Sequence, residues 1–223
     1  MVVALGEVIL FPWLVKCQKR LNINWQTALA IANIHGLIGL PVTAKLMSII
    51  EDWDIFTPIK YRIYGPVFIL PLFYWLWAKQ TKRKVSTVFD AFSILMCLNL
   101  AVARVLCIAQ DCCGGTVISG TDMAWPIREI EILFQIIFVC IYAGKVLKGK
   151  TKGEVYPVYM IYYGVVRFLL EWFREEYTFR VGIFNIAHIW STISILIGIA
   201  ILYAIARGRK SSEKKLRKGK SKV

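Results

Sequence analysis

Apolar residues occur along this chain in seven blocks, and most charged residues fall between the blocks. A membrane-spanning helix needs about 20 mainly apolar residues, with a range of about 17–25. Helices satisfy their own backbone hydrogen bonds in hydrocarbon, so the blocks are predicted to be helical. Strands of a β-barrel would be shorter and would alternate in polarity. The blocks are approximately Val2–Val15, Ala28–Ile50, Ile63–Ala78, Val88–Ile108, Ile130–Val146, Val155–Phe173 and Val181–Ala206.

The basic residues between the blocks predict the orientation. The loops after the first, third and fifth blocks, together with the C-terminal tail, contain 20 Lys and Arg residues, against five on the other side. Short cytoplasmic loops carry such an excess. We therefore predict an all-α, polytopic integral membrane protein with seven transmembrane helices, the N-terminus outside and the C-terminus cytoplasmic. Residues 1–206 would form the membrane domain, and residues 207–223 a basic cytoplasmic tail that favours anionic lipid headgroups.

Composition supports this prediction and excludes a nucleic-acid partner. Of the 223 residues, 57% are hydrophobic, whereas soluble domains are about 45–50% apolar. A net charge of +14 would suggest nucleic-acid binding in a soluble protein. Here the positive charge follows the loops and the tail, which is the pattern of membrane orientation rather than of a nucleic-acid groove.

Charged residues inside the apolar blocks are candidates for function, because each costs about 2.5–3.5 kcal/mol on insertion scales. The sixth block places Tyr163, Arg167, Glu171 and Arg174 at i, i+4, i+8 and i+11, which is one face of a helix. Two interpretations remain open from this spacing. The Arg167–Glu171 pair would join helices, or Arg167 would be held ready to bind an anion.

Arg104 lies near the outer end of the fourth block. It would extend its guanidinium to the membrane surface, or it would share a polar cavity with Arg167. Two buried arginines approaching from the same leaflet suggest a phosphate ligand, since a guanidinium binds phosphate with two parallel hydrogen bonds.

Three cysteines, Cys107, Cys112 and Cys113, follow Arg104. Adjacent cysteines rarely bind one tetrahedral zinc ion well, and no histidine lies near them in the sequence. We predict no metal site. A structural disulfide on the outer face is favoured over a metal site, and packed free thiols are the other interpretation that the sequence leaves open.

The sixth block also carries a motif. A pattern of the form Y-G-x-x-R-F-x-x-E-F-F-R is matched throughout except that Trp172 replaces a Phe, and the matching residues are Tyr163, Gly164, Arg167, Phe168, Glu171, Phe173 and Arg174. With this motif the chain resembles the prolipoprotein diacylglyceryl transferases, bacterial membrane enzymes of lipoprotein maturation. The resemblance runs over nearly the whole chain.

Other motifs of that family are only partly retained. Arg104 keeps the arginine of the central G-R-x-G-N-F pattern, and Glu131 keeps the acid of P-S-Q-L-Y-E. Tyr64 stands where the family has the His of H-G-G, Lys45 replaces an Arg, and His188 replaces a Gln. A subset of relatives reads R-I-G-C-F-x-x-G-C-C-x-G, and this chain follows that version with Arg104, Cys107, Cys112, Cys113 and Gly115.

The resemblance implies a reaction in a bacterial plasma membrane. A diacylglyceryl group would move from phosphatidylglycerol to the lipobox cysteine of a preprolipoprotein, with release of glycerol 1-phosphate and without a cofactor. Arg104 and Arg167 would hold the phosphate, and Tyr64, Glu131 or His188 would accept the thiol proton. The expected catalytic residues are Arg104, Arg167, Tyr64 and Glu131, and the expected substrate-binding residues are Tyr163, Glu171, Arg174, Lys45 and His188.

Two other functions remain open from the sequence. The substitutions at Tyr64 and Cys107 favour a non-catalytic membrane protein that binds phospholipid or a partner on the same fold. The neighbouring thiols of Cys112 and Cys113 favour a thiol–disulfide protein.

Overall fold

Helices account for nearly all of the structure, a computed structural model that describes residues 2–52, 64–174, 180–181 and 183–220. Six of the seven apolar blocks each lie largely within one helix, and the second block spans three consecutive helical segments, which confirms the all-α class. The helices are α1 (Val2–Leu21), α2 (Trp25–Asn33), a π-helical segment (Ile34–Gly39), α3 (Leu40–Asp52), α4 (Tyr64–Gln80), α5 (Val85–Ala109), α6 (Ile127–Leu147), α7 (Val155–Leu170), a 3₁₀ turn (Glu171–Phe173) and α8 (Ile186–Lys220).

Among the described residues, four helical stretches are long and apolar enough to cross a membrane. They are Trp25–Glu51, which includes α2, the π-helical segment and α3, and then Val85–Ala109, Ile127–Leu147 and Ile186–Ser211. The α4 and α7 helices contain 17 and 16 residues, at or just below the shortest usual span of about 17.

Two local features depart from the pattern of apolar blocks. The second block is interrupted by the π-helical segment, which takes in His35 and two glycines. The boundary expected between residues 206 and 207 is not a helix end, because α8 continues to Lys220.

The α7 and α8 helices approach each other closely. A Cβ atom on Gly164 would lie 2.9 Å from the carbonyl oxygen of Ser191, and one on Gly198 would lie 2.7 Å from that of Pro157. Small residues allow helix backbones to meet in membranes, where dispersion forces and hydrogen bonds drive association. The hydroxyl of Ser194 adds a hydrogen bond to the carbonyl of Met160 at 2.9 Å.

The basic segments meet at one end of the bundle, which we call the basic end. Arg20 Nη2, near the end of α1, donates to the carbonyl of Thr151 at 3.2 Å. Arg83, between α4 and α5, donates to the carbonyl of Asn22 at 2.8 Å. Arg209 of α8 pairs with Glu154 at 2.5 Å. The turns after α1, α4 and α6 and the end of α8 therefore lie together.

At the opposite end, the segment between α5 and α6 packs against the end of α7. The backbone N–H of Thr116 donates to the carbonyl of Phe173 at 2.9 Å, and that of Trp125 donates to the carbonyl of Thr116 at 3.0 Å. Gly115 is required here, because a Cβ atom would lie 2.9 Å from Cγ1 of Ile127 and closer still to Trp125. A short antiparallel pair, β1 (Arg180–Val181) and β2 (Phe184–Asn185), precedes α8 at this end.

Candidate active site at the arginine cluster

The polar face predicted for the sixth block is buried in the bundle. Arg167 and Glu171 are only 6% and 7% exposed, and Arg167 Nη2 lies 2.9 Å from Glu171 Oε2. Arg174 Nε lies 3.9 Å from the same oxygen. The chain leaves the helix at Arg174, where the backbone is extended, and the side chain still reaches back to the cluster.

Glu131 of α6 joins three arginines. Its Oε1 accepts hydrogen bonds from Arg167 Nη1 at 2.6 Å and Arg174 Nη2 at 3.3 Å. Its Oε2 pairs with Nε of Arg104 from α5. Arg104 is 4% exposed, so it is buried in an ion-pair network instead of extending to the membrane surface. We call Arg104, Glu131, Arg167, Glu171 and Arg174 the arginine cluster.

The formal charges of the arginine cluster do not cancel. Three guanidinium groups face two carboxylates, which leaves one positive charge on these five side chains. Ionised groups are expensive to bury unless they are paired. Nη2 of Arg104 is buried and has no hydrogen-bond partner among the described residues. The cluster is therefore suited to bind a monovalent anion by hydrogen bonds from guanidinium groups.

Asn185 connects the arginine cluster to His188. Its Nδ2 donates to Glu171 Oε1 at 2.8 Å, so its Oδ1 faces the imidazole, 2.9 Å from His188 Nδ1. The backbone N–H of Asn185 also donates to Nδ1 at 3.3 Å, so Asn185 holds the imidazole through both its side chain and its main chain. Nε2 of His188 is buried with no hydrogen-bond partner in the described part of the chain.

Tyr64 and Tyr163 lie against one another beside the cluster. Their rings meet edge to face with centroids 5.9 Å apart. The Tyr64 hydroxyl lies 2.5 Å from Ser191 Oγ, and Ser191 in turn donates to the carbonyl of Ala187 at 2.7 Å, so Tyr64 is the donor. The Tyr163 hydroxyl is buried and has no hydrogen-bond partner among the residues that the structure describes.

Comparisons with known proteins show the family of this chain. The model of the family described as "Prolipoprotein diacylglyceryl transferase" matches residues 1–204. The chain belongs to the prolipoprotein diacylglyceryl transferase family. Among its relatives are proteins named phosphatidylglycerol–prolipoprotein diacylglyceryl transferase. One from Dehalococcoides mccartyi is 23% identical over 95% of this chain and 90% of its own length. One from Finegoldia magna is 25% identical over 89% of this chain and 87% of its own length.

The prolipoprotein diacylglyceryl transferase motifs recognised in the sequence come together in space. The R-F-x-x-E-F-F-R motif supplies Arg167, Glu171 and Arg174 to the cluster, and the partly retained motifs supply Arg104 and Glu131. Lys45 is half-buried on α3 and is not among the residues whose contacts define the cluster.

Sequence reasoning missed Asn185 and Ser191 as site residues in this family member. Asn185 orients His188, and Ser191 accepts the hydrogen bond of Tyr64. Serine and asparagine are common in helices and turns, so neither residue type signals a role by itself. Asn185 does stand three residues before His188, where an Asn side chain favours the start of a helix, and its Oδ1 accepts the backbone N–H of His188 at 3.2 Å.

The thiol cluster of Cys107, Cys112 and Cys113 lies next to Arg104. Arg104 Nη1 lies 3.8 Å from Cys107 Sγ. All six cysteines are free, so the predicted disulfide is not formed in this structure. A hydrogen bond from the Cys107 thiol lowers the pKa of Cys113 to about 5, with help from the positive charges of Arg104 and Arg174.

Proposed function

We propose that this protein transfers a diacylglyceryl group from phosphatidylglycerol to the lipobox cysteine of preprolipoproteins, with the arginine cluster as its active site. Its membership of the family supports the reaction. The observation that carries the site is the single positive charge left on the buried arginine cluster. The phosphodiester of phosphatidylglycerol has one negative charge and completes the balance.

The reaction needs charge stabilisation at the phosphate. The sulfur of the lipobox cysteine attacks the diacylglyceryl carbon that is bonded to a phosphate oxygen, a C–S bond forms, and the C–O bond breaks. The electron pair stays on that oxygen, and glycerol 1-phosphate leaves with a second negative charge. Arg104 and Arg167 are held in place before the reaction by Glu131 and Glu171. Preorganised cations in a dry site stabilise charge that develops in the transition state.

His188 is the proton acceptor that the contacts favour. A cysteine thiol with a pKa of about 8.5 must lose its proton to become a good nucleophile. Glu131 is a poor acceptor because three guanidinium groups stabilise its charged form. Tyr64 is a protonated phenol that donates a hydrogen bond to Ser191, so its hydroxyl is also a poor base. His188 Nε2 is buried with no hydrogen-bond partner in the described part of the chain, so it is available to accept the thiol proton when the ring's own proton is on Nδ1, and we assign Glu131 and Tyr64 to positioning.

The same proposal includes seven membrane crossings in a bacterial plasma membrane, with the N-terminus outside and the C-terminus in the cytoplasm. It is supported by the basic end, where Arg20, Arg83 and Arg209 lie together through their contacts. The arginine cluster then lies towards the outer leaflet. A reporter that is active only in the cytoplasm should be active when it is fused after Val223. Activity of a reporter that works only after export, fused at the same position, would contradict the orientation.

The decisive experiment separates turnover from binding. Purified protein in micelles with phosphatidylglycerol is mixed with a lipobox peptide, and glycerol 1-phosphate release and peptide mass are measured. We expect a diacylglyceryl mass gain that falls about 10²–10³-fold in Arg167→Lys, the loss typical of removing one oxyanion donor. Arg83→Lys, at the basic end, is the matched control and should keep full activity.

Two results would refute the proposal in different ways. Full activity of folded Arg167→Lys and Arg104→Lys would remove the arginine cluster as the active site. Binding of phosphatidylglycerol by the folded wild-type protein, without release of glycerol phosphate or a change in peptide mass, would establish the non-catalytic alternative.

A further inference from the structure

The thiol cluster of Cys107, Cys112 and Cys113 is not used in the proposed reaction. The three Sγ atoms lie within 4.8 Å of one another, and each residue is half-buried. Cys107 is in the last turns of α5, whereas Cys112 and Cys113 follow the helix. Metal-binding thiols need this kind of convergence from different parts of the backbone.

The backbone is bent to bring these sulfur atoms together. Asp111 and Cys113 have φ angles of 47° and 60°, in the left-handed region that residues other than glycine seldom adopt. The N–H of Cys112 donates to the carbonyl of Cys107 at 3.0 Å and closes the turn. Unfavourable backbone conformations of this kind concentrate at functional sites and need support from surrounding contacts.

Arg128 supplies that support. Its Nη1 donates to the carbonyl of Cys107 at 3.4 Å, to the carbonyl of Cys112 at 3.2 Å and to Asp111 Oδ1 at 3.1 Å. One guanidinium group therefore fixes both ends of the turn. Together with Arg104 beside Cys107, it places two positive charges next to three sulfur atoms that bind metals as thiolates.

We propose that Cys107, Cys112 and Cys113 bind one Cu(I) ion at the end of the bundle that holds the arginine cluster. Thiolate is a soft ligand and selects soft ions such as Cu(I). Within the described ranges, no fourth His, Cys, Asp or Glu joins the three sulfur atoms. Structural zinc sites are almost always completed by four protein ligands, whereas Cu(I) is satisfied by three thiolates. Three thiolates and one Cu(I) have a net charge of −2, and the guanidinium groups of Arg104 and Arg128, each of which also pairs with a carboxylate, lie beside them.

This arrangement answers the objection to metal binding that the sequence raised. Adjacent cysteines are poorly placed for tetrahedral closure around zinc, but the proposed ion needs only three sulfur ligands. Cys113 has a left-handed backbone conformation, and in this turn the sulfur atoms of both Cys112 and Cys113 lie close to that of Cys107.

The test uses the full chain in detergent, reduced without oxygen and stripped of metal. Cu(I) is titrated in competition with a coloured Cu(I) chelator, and X-ray absorption identifies the ligands. We expect one ion per chain bound to three sulfur atoms. Each of Cys107→Ser, Cys112→Ser and Cys113→Ser should weaken binding at least tenfold. Cys140→Ser, at an exposed cysteine of α6, should bind as the wild type does.

Three outcomes would overturn the proposal. Binding that survives in the variant lacking all three thiols would place the ion elsewhere. The site would be excluded if folded wild-type protein does not bind Cu(I) although alkylation shows that Cys107, Cys112 and Cys113 are reduced. Zn(II) bound more tightly than Cu(I) in the same competition would assign the site to a different ion. Melting temperatures of the serine variants establish that each one is folded.

Discussion

Arg167 Nη1 donates to Glu131 Oε1 at 2.6 Å, although the two residues are 36 positions apart and belong to different helices. The carboxylate of Glu131 also pairs with Arg104 and Arg174. Glu131 is therefore the residue through which α5, α6 and the end of α7 are joined at the proposed active site. Its function in the proposed reaction is to keep the arginines in position.

Glu131→Gln should damage both stability and transfer. Removing one partner of a buried ion pair leaves the other charges uncompensated and costs about 3–5 kcal/mol. We expect a lower melting temperature and at least a 10²-fold loss of glycerol 1-phosphate release. Glu129→Gln makes the same chemical change at an exposed position of α6 and should alter neither measurement. Normal activity of Glu131→Gln would show that the arginines do not need this carboxylate.

His188→Gln tests the proton acceptor. Glutamine keeps a polar side chain of similar reach but cannot accept a proton near neutral pH. General bases contribute about 10²–10⁴-fold, so the rate should fall within that range. The wild-type rate should rise with pH as the imidazole loses its proton, and this rise should be absent in His188→Gln.

Asn185→Ala should act through the same histidine. The imidazole of His188 is held by the Asn185 amide, and loss of that amide should reduce the rate of the wild type while hardly affecting His188→Gln. Equal fold losses in the wild-type and His188→Gln backgrounds would mean that Asn185 acts independently of His188. The rates of the two single variants and the double variant form a double-mutant cycle that measures this coupling.

Gly65→Ala should destabilise the protein where α4 meets α3. An added Cβ atom would lie 2.7 Å from Cα of Ala44 and closer still to the backbone carbonyl of Thr43. The start of α4 would have to move, and Tyr64 with it. We expect the loss typical of an overpacked contact, about 1–3 kcal/mol or more. Gly144→Ala, at a helical position of α6 with no atom within 4 Å of the added carbon, should instead stabilise by up to about 1 kcal/mol.

Glu154 at the basic end should make stability depend on pH. Partial burial raises the pKa of Glu154. The hydrogen bond from Arg209 and those from backbone N–H groups lower it by a larger amount, so the pKa is below its usual 4.5. A lowered pKa means that the stabilisation is complete well above pH 4.5 and is lost as the pH falls through the folded-state pKa. For this partly exposed pair it is below about 1 kcal/mol. The difference in melting temperature between wild type and Glu154→Gln should shrink on acidification, and a constant difference would contradict the assignment.

The sequence predicted the helices and part of the active site for separate physical reasons. Apolar blocks locate helices because hydrocarbon requires backbone groups to bond within the segment. The spacing of Arg167, Glu171 and Arg174 predicts a shared face because helical residues three and four apart are neighbours. Both inferences depend on local periodicity.

Contacts between helices could not be predicted in this way. The convergence of Arg104 and Arg167 on Glu131 depends on how α5, α6 and α7 pack, and no local pattern states it. The thiol cluster depends on the left-handed backbone conformations of Asp111 and Cys113. Neither residue type by itself predicts such a turn. The role of Asn185 likewise follows from the two partners of its amide, one on each side.

The carboxamide of Asn185 has a consequence for the catalytic cycle. An amide between Glu171 and His188 transmits orientation, but it cannot relay a proton from the imidazole to the carboxylate. A proton that Nε2 takes from the lipobox thiol therefore has no exit through Nδ1. In the proposed reaction Nε2 must therefore both accept the proton and release it. The proton goes either to the departing glycerol 1-phosphate or to solvent after the product has left. His188 can accept a proton from the next lipobox thiol only after that release.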